Sequence, residues 1–285
     1  MPVRLHALSC LAGLASLALI SPAAAATLEI KHAVANLVVI PEARQDIAIE
    51  MVGGDPKLSL KQSGDSDRVV LDGGIRNVQC GSQYKLAIND WNATRLQIVG
   101  VGTFNRSALP KIIARVPLNA EIKASGAVFG TVGRTESLDL ELSGCGDWTV
   151  ANVEKQLRLD QSGSGDARVG EIGSGKIELA GSGDISLVSA AKGLKIEIAG
   201  SGDVAARSVS GPLTIDIAGS GDVSIEGGQV DALGANIAGS GDISFGGTAA
   251  TAKLNVVGSG DISLHKVTGS VNKSVMGSGD ISIGQ

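Results

Sequence analysis

Aromatic side chains are nearly missing from this chain: two Trp, one Tyr and three Phe among 285 residues. An ordinary globular core uses more of them, so the expectation is a thin core built from Ile, Leu and Val. Histidine is equally scarce. Past the first twenty residues only His32 and His265 occur, which leaves Ser-His catalysis and His-based metal binding little to work with. Basic charge is short where nucleic acid would need it. From Leu138 to Gln285 there are eighteen acidic against ten basic residues, whereas residues 1–138 carry eleven against fourteen. Phosphate backbones call for Lys and Arg, so the acidic half is no nucleic-acid surface. Helical periodicity is missing too. Its absence between the strand-like runs excludes βαβ units and leucine-rich horseshoes.

What is present begins with a leader. Arg4 gives a short positive start and an uncharged run spans Leu8 to Ile20. Ser21-Pro22 breaks that run, and Ala24-Ala25-Ala26 offers a small-residue cleavage site before Thr27. This is the layout of a secretory signal peptide over residues 1–26, with an apolar part too short to cross a membrane. Cys10 lies ahead of most of the apolar run, which does not fit a lipoprotein. The chain is therefore expected to be exported, to the periplasm, the outer surface or the extracellular space. No membrane span is expected in the mature part. Cys80 and Cys145 remain after cleavage. In an oxidising compartment they could form a disulfide or sit as two separately buried thiols.

The second half is a repeat. The motif Gly-Ser-Gly-Asp recurs with Asp at 166, 184, 203, 222, 242, 261 and 280, and Gly144-Cys145-Gly146-Asp147 is a variant ahead of it. Successive spacings are 19, 18, 19, 19, 20, 19 and 19 residues. Before each motif apolar residues alternate, as in Leu194, Ile196 and Ile198, and after it a second short run begins with Ile or Val. Alternation at period two marks half-buried strands, and Gly-Ser-Gly between them is a corner. Such units cannot bury an apolar face alone and must stack on their neighbours. The reading is all-β: a right-handed parallel β-helix (β-solenoid) with about 19 residues per coil, standing roughly 35–40 Å tall at the usual strand spacing. Regular coils are placed over residues 124–285, and residues 27–123 are expected to form irregular early coils or a cap. Strand-like runs there include Leu37–Ile40, Ile47–Met51, Leu58–Leu60, Val69–Leu71, Leu96–Val99 and Ile112–Val116.

Three features together resemble a known bacterial family, the putative auto-transporter adhesin, head GIN domain proteins. One is Val34-Ala35-Asn36-Leu37-Val38-Val39-Ile40-Pro41, and another is Arg115-Val116-Pro117-Leu118-Asn119-Ala120-Glu121-Ile122 leading to Ala124-Ser125-Gly126. The third is the run of Leu-x-Ile-x-Gly-Ser-Gly-Asp-Ile units. The resemblance implies an exported β-helix-like fold, adhesion, and no defined catalytic activity. The chain departs from a true autotransporter in ending at Ile283-Gly284-Gln285, without a run of amphipathic membrane strands.

The aspartates are the main chemical feature. In a stack, neighbouring carboxylates ~4.8 Å apart repel by roughly 0.9 kcal/mol in bulk water, so something must offset the charge. One answer is a turn in which each carboxylate accepts N–H groups of its own corner. The other is a row of Ca²⁺ sites on Asp166, Asp184, Asp203, Asp222, Asp242, Asp261 and Asp280. Those sites would be helped by a second outward row at Glu141, Asp160, Glu178, Glu197, Asp216, Asn236, Asn255 and Ser274. No catalytic residues are assigned and no cofactor besides calcium comes into question. An active site is an unrepeated cluster, and the unrepeated polar residues are Asp90, Asn92, Arg95 and Arg106, near Trp91. Trp91 and Trp148 read as packing residues. The leading function is a secreted non-enzymatic β-solenoid that binds an envelope or extracellular ligand by adhesion, or serves as an envelope scaffold. The alternatives are a calcium-binding structural module and a polysaccharide-active enzyme. The last coil shows no terminal cap, so either the N-terminal half folds back over it or two chains pair end to end as a homo-oligomer.

Overall fold

The computed structural model describes residues 25–76, 78, 95–98 and 101–284. The chain forms a β-solenoid. Its irregular part contains β1 (Ala26–Glu42), β2 (Ala48–Val52), β3 (Lys61–Gly64), β4 (Arg68–Asp72), β5 (Arg95–Ile98), β6 (Gly102–Asn105) and β7 (Lys111–Pro117). Then follow β8 (Asn119–Val132), β9 (Ser137–Gly144), β10 (Trp148–Val150), β11 (Val153–Gln161) and β12 (Ala167–Leu179). The clean repeats continue as β13 (Ile185–Ala190), β14 (Leu194–Gly200), β15 (Val204–Ser210), β16 (Leu213–Gly219) and β17 (Val223–Gly239). They end with β18 (Ile243–Gly258), β19 (Ile262–Val267), β20 (Val271–Gly277) and β21 (Ile281–Ile283). From β8 onward every pairing is parallel and joins residues one coil apart, such as Ile196 with Ile215 and Val204 with Val223.

One coil explains the others. Leu194, Ile196 and Ile198 point inward before the corner, and Val204, Ala206 and Val209 point inward after it; all six are buried. Each large aliphatic side chain so buried contributes about 1.5–3 kcal/mol. The corner requires glycine for a steric reason. Gly219 has φ +148°, and a Cβ there would lie 2.2 Å from the carbonyl oxygen of Gly200 in the coil below. At Gly221 a Cβ would lie equally close to the Gly202 oxygen. The serine between them faces out. Coil length varies by a residue where glycine can absorb it: the pairing of β17 with β18 shifts register between Ile225 and Gln229, around Gly228 at φ +123°.

Gln161 breaks the apolar rule of the inward positions, and Trp148 exceeds their usual size. Gln161 stands where Leu142 and Leu179 stand in the adjacent coils. It is 3% exposed, its amide nitrogen donates to the Gly165 carbonyl, and its Oε1 has no partner. Trp148 fills the space opened by Gly130, where any Cβ would strike the indole ring. Trp148 is fully buried, as a packing residue should be.

The N-terminal strands do not stack in chain order. β1 lies between β8 on one side and β4 and β7 on the other, in parallel register with all three. The layer that holds β4 and β7 therefore sits outside β1. Beyond it, β2 runs antiparallel to β7 and β3 antiparallel to β4. These strands cover that end of the stack. The described N-terminal strands thus cap their own end, and among the described residues none of them pairs with the last coil, against one of the two expectations for that edge. A smaller correction falls at Leu58–Leu60: Pro56–Leu58 is a 3₁₀ turn with Asp55 accepting the Lys57 N–H, and the strand starts at Lys61. Proline at the first turn position, behind an aspartate cap, favours the turn over the strand.

A second apolar cluster lies outside the coil. Val34, Ala127 and Phe129 point away from the main core and meet Leu58, Phe104 and Leu109 from the inserted segment. This packing holds the insertion against the solenoid beside Cys145, next to the first motif aspartate.

Candidate functional site

The aspartates form one continuous row. The Oδ1 of Asp147 accepts the backbone N–H of Asp166 at 3.1 Å. Asp166 does the same for Asp184, Asp184 for Asp203, and Asp203 for Asp222. Asp222, Asp242 and Asp261 continue the pattern up to Asp280, with distances of 2.7–2.8 Å. The expectation of a self-contained turn is thus corrected: each carboxylate bonds the next coil, not its own corner. Parallel strands turn through a corner here and would leave N–H groups unpaired, and the aspartate supplies the missing acceptor. A charge-assisted bond of this kind also offsets the repulsion within the row.

The second acidic row is elsewhere engaged. Lys123 bonds Glu121 and Glu141, Arg158 bonds Asp160 and Glu178, and Lys176 and Lys195 converge on Glu197. The lysines hold the Glu197 carboxyl below the ordinary carboxylate range through hydrogen bonds from Lys176 and Lys195. Farther along, Asn236 donates to Asp216 and Asn255 donates to Asn236. The row ends at Ser274 in register with Asn255. Its oxygens face cations and amides on their own sheet and do not converge with the motif aspartates. Among the described residues no group of three or more His, Cys, Asp or Glu is arranged to hold a metal ion.

The motif row is different in kind. None of the aspartates from Asp166 to Asp280 has an ion-pair partner among the described residues. On one side of it run Ser182, Ser201, Ser220, Ser240, Ser259 and Ser278, and on the other Ser186, Ser224, Ser244, Ser263 and Ser282, all exposed. Ala205 interrupts the second column, and a shallow recess lies there, lined by Asp166, Arg168, Asp184, Ser186, Asp203 and Ala205. The result is a face of hydroxyls and carboxylates, with a Ser-Asp-Ser row in the coils of Asp184, Asp222, Asp242, Asp261 and Asp280, and Arg168 and Ala205 in place of the second serine in the coils of Asp166 and Asp203.

The row starts under the insertion. Arg106 lies over the Phe129 ring at 4.2 Å and donates from Nε to Asn36 Oδ1, while Asn36 Nδ2 donates to the Arg106 carbonyl. Burial pushes the Asp147 carboxyl up; the bond from the Asp166 N–H and the nearby Arg106 charge partly oppose this. Burial lowers Arg106 from its ordinary value. Of the unrepeated residues named from the sequence, Arg106 therefore belongs to the anchor of the insertion. Arg95 begins the two-stranded β5–β6 sheet. Asp90, Trp91 and Asn92 lie outside the described residues, as does Cys80. Cys145 is disulfide-bonded.

Fold and face together define a β-solenoid with a repeated polar surface and no clustered acid, base and nucleophile among the described residues. Residues 175–284 match the family model described as putative auto-transporter adhesin, head GIN domain, the family that the repeats resemble. No curated protein matches the chain. Two solved structures are similar over most of their length. One is a putative lipid binding protein from Parabacteroides distasonis ATCC 8503, at 17% identity and TM-score 0.47, covering 92% of this chain and 93% of that one. The other is a putative adhesin from Bacteroides fragilis NCTC 9343, at 14% identity and TM-score 0.43, covering 91% and 92%.

Proposed function

We propose that this is an exported, non-enzymatic binding protein of adhesion type, and that its Ser-Asp-Ser face is the binding surface. The observation that carries the reading is the contrast between two sheets of the same solenoid. One sheet pairs its charges internally; the other leaves a row of carboxylates and two columns of hydroxyls open to solvent. A rigid lattice of short side chains loses little side-chain entropy when it meets a ligand. Each contact is weak, about 0.5–1.5 kcal/mol for a hydrogen bond, so affinity must come from repetition. The matching ligand is an extended, hydroxyl-rich polymer, a polysaccharide of the envelope or its surroundings, lying along successive coils. Capture of isolated envelope polysaccharide by the mature protein, lost when arginine replaces central serines of the face, is the test. A second reading adds Ca²⁺ between face and ligand, because each motif carboxylate uses only one oxygen for the backbone bond. Removal of calcium would then abolish capture and lower Tm; unchanged capture and Tm in chelator dismiss it.

A further inference from the structure

The inward column that passes through Ile177, Ile196, Ile215, Ala235 and Leu254, each fully buried, ends on Lys273. Lysine there is out of pattern, and its Nζ donates to the carbonyl of Ile281 at 3.0 Å. The side chain therefore crosses from β20 to β21 over the end of the core. Val271 and Val275 occupy the flanking inward columns and are 40% and 44% exposed. β21 stops after three residues.

We propose that Lys273 closes the stack. Its stem covers the terminal core, and its ammonium keeps the edge formed by β20 and β21 from accepting the same edge of a second copy. A second copy is the partner this edge would fit, because its exposed positions continue the columns of the solenoid itself. The opposite end carries antiparallel β2 and β3, so the matching surface is another C-terminal edge. Such a contact is isologous, and its two-fold symmetry places both Lys273 ammoniums in one apolar seam. Charges removed from water without an acidic partner oppose that contact strongly. An inward-pointing charge is a device by which sheets avoid adding strands. The end-to-end pairing expected from the sequence is thus opposed by one residue of the core column. This inference stands apart from the role of the lateral face.

Sedimentation velocity over a concentration series tests it, on the full mature chain, with circular dichroism to confirm folding. Wild type is expected to show one species whose sedimentation coefficient does not rise with concentration. Lys273→Ile and Lys273→Met should dimerise, with self-association about tenfold or more tighter than wild type. Adding Val275→Lys to Lys273→Ile should restore the monomer. If Lys273→Ile misfolds, Lys273→Met decides, since it keeps the unbranched stem. Folded variants that stay monomeric at every concentration would overturn the proposal. So would a wild-type dimer that Val275→Lys alone dissolves.

Discussion

Asp203 Oδ1 accepts the backbone N–H of Asp222 at 2.8 Å, from one corner of the solenoid to the same corner in the next coil. The acid of the repeat is thereby part of the backbone hydrogen-bond system, through one oxygen of its carboxylate. Asp203→Ala removes the acceptor and should cost about 1 kcal/mol, the ordinary net worth of such a bond at a partly solvated site. Asp203→Asn keeps an oxygen in place and removes one charge from the row, so its stability should equal or exceed wild type. Urea melts of the two variants check this, and an Asn variant weaker than the Ala variant would contradict it.

Asp147 gives a pH dependence of known sign. Its folded-state carboxyl is raised by burial, so the folded chain binds more protons than the unfolded chain between the two pKa values. Stability contributed by this group falls as pH rises through that window and is recovered below it. Asp147→Asn should therefore stabilise at neutral pH, and its advantage should shrink toward about pH 4, where an ordinary aspartate protonates. Glu197 works in the opposite direction: its lowered carboxyl contributes at neutral pH, and that contribution is lost as pH falls through the folded value. Melts of wild type and Asp147→Asn at a series of pH values separate the two.

Cys145 is disulfide-bonded, and we expect Cys80 to be its partner in the exported protein. The bridge would tie the insertion to the coil beside Phe129 and Asp147. In the chain-entropy account a loop of ~65 residues adds roughly 4 kcal/mol. Peptide mapping without reductant should recover the Cys80 and Cys145 peptides as one species, and reduction should lower Tm. Two free thiols by titration would refute the pairing.

Much of this was legible in the residues because the repeat states its geometry many times. Leu194, Ile196 and Ile198 alternate as their neighbours do, and Gly200-Ser201-Gly202 marks each corner, so coil and face follow directly. The destination of the Asp203 carboxylate was not legible, since spacing shows that two corners stack but not which N–H lacks a partner. The same limit hid the pairing of Glu197 with Lys176, which spans neighbouring coils. β1 was harder still. Its apolar alternation fits any coil, and only the tertiary register with Val69, Ile112 and Ile122 puts it between segments that follow it in the chain. Lys273 does carry a signal: in register with Leu254 it falls on an inward position, where a lysine cannot be covered by a further apolar coil.

The central claim is that the Ser-Asp-Ser face binds polysaccharide without cleaving it. It is tested most directly by equilibrium binding of mature protein to isolated envelope polysaccharide, with new reducing ends assayed in the same samples. Wild type should bind and release no reducing ends. Ser224→Arg/Ser244→Arg should bind about tenfold or more weakly, while Lys192→Ser, at an exposed turn away from that face, should bind as wild type does. Equal binding by the double arginine variant, or reducing ends that accumulate with wild type, would contradict the account.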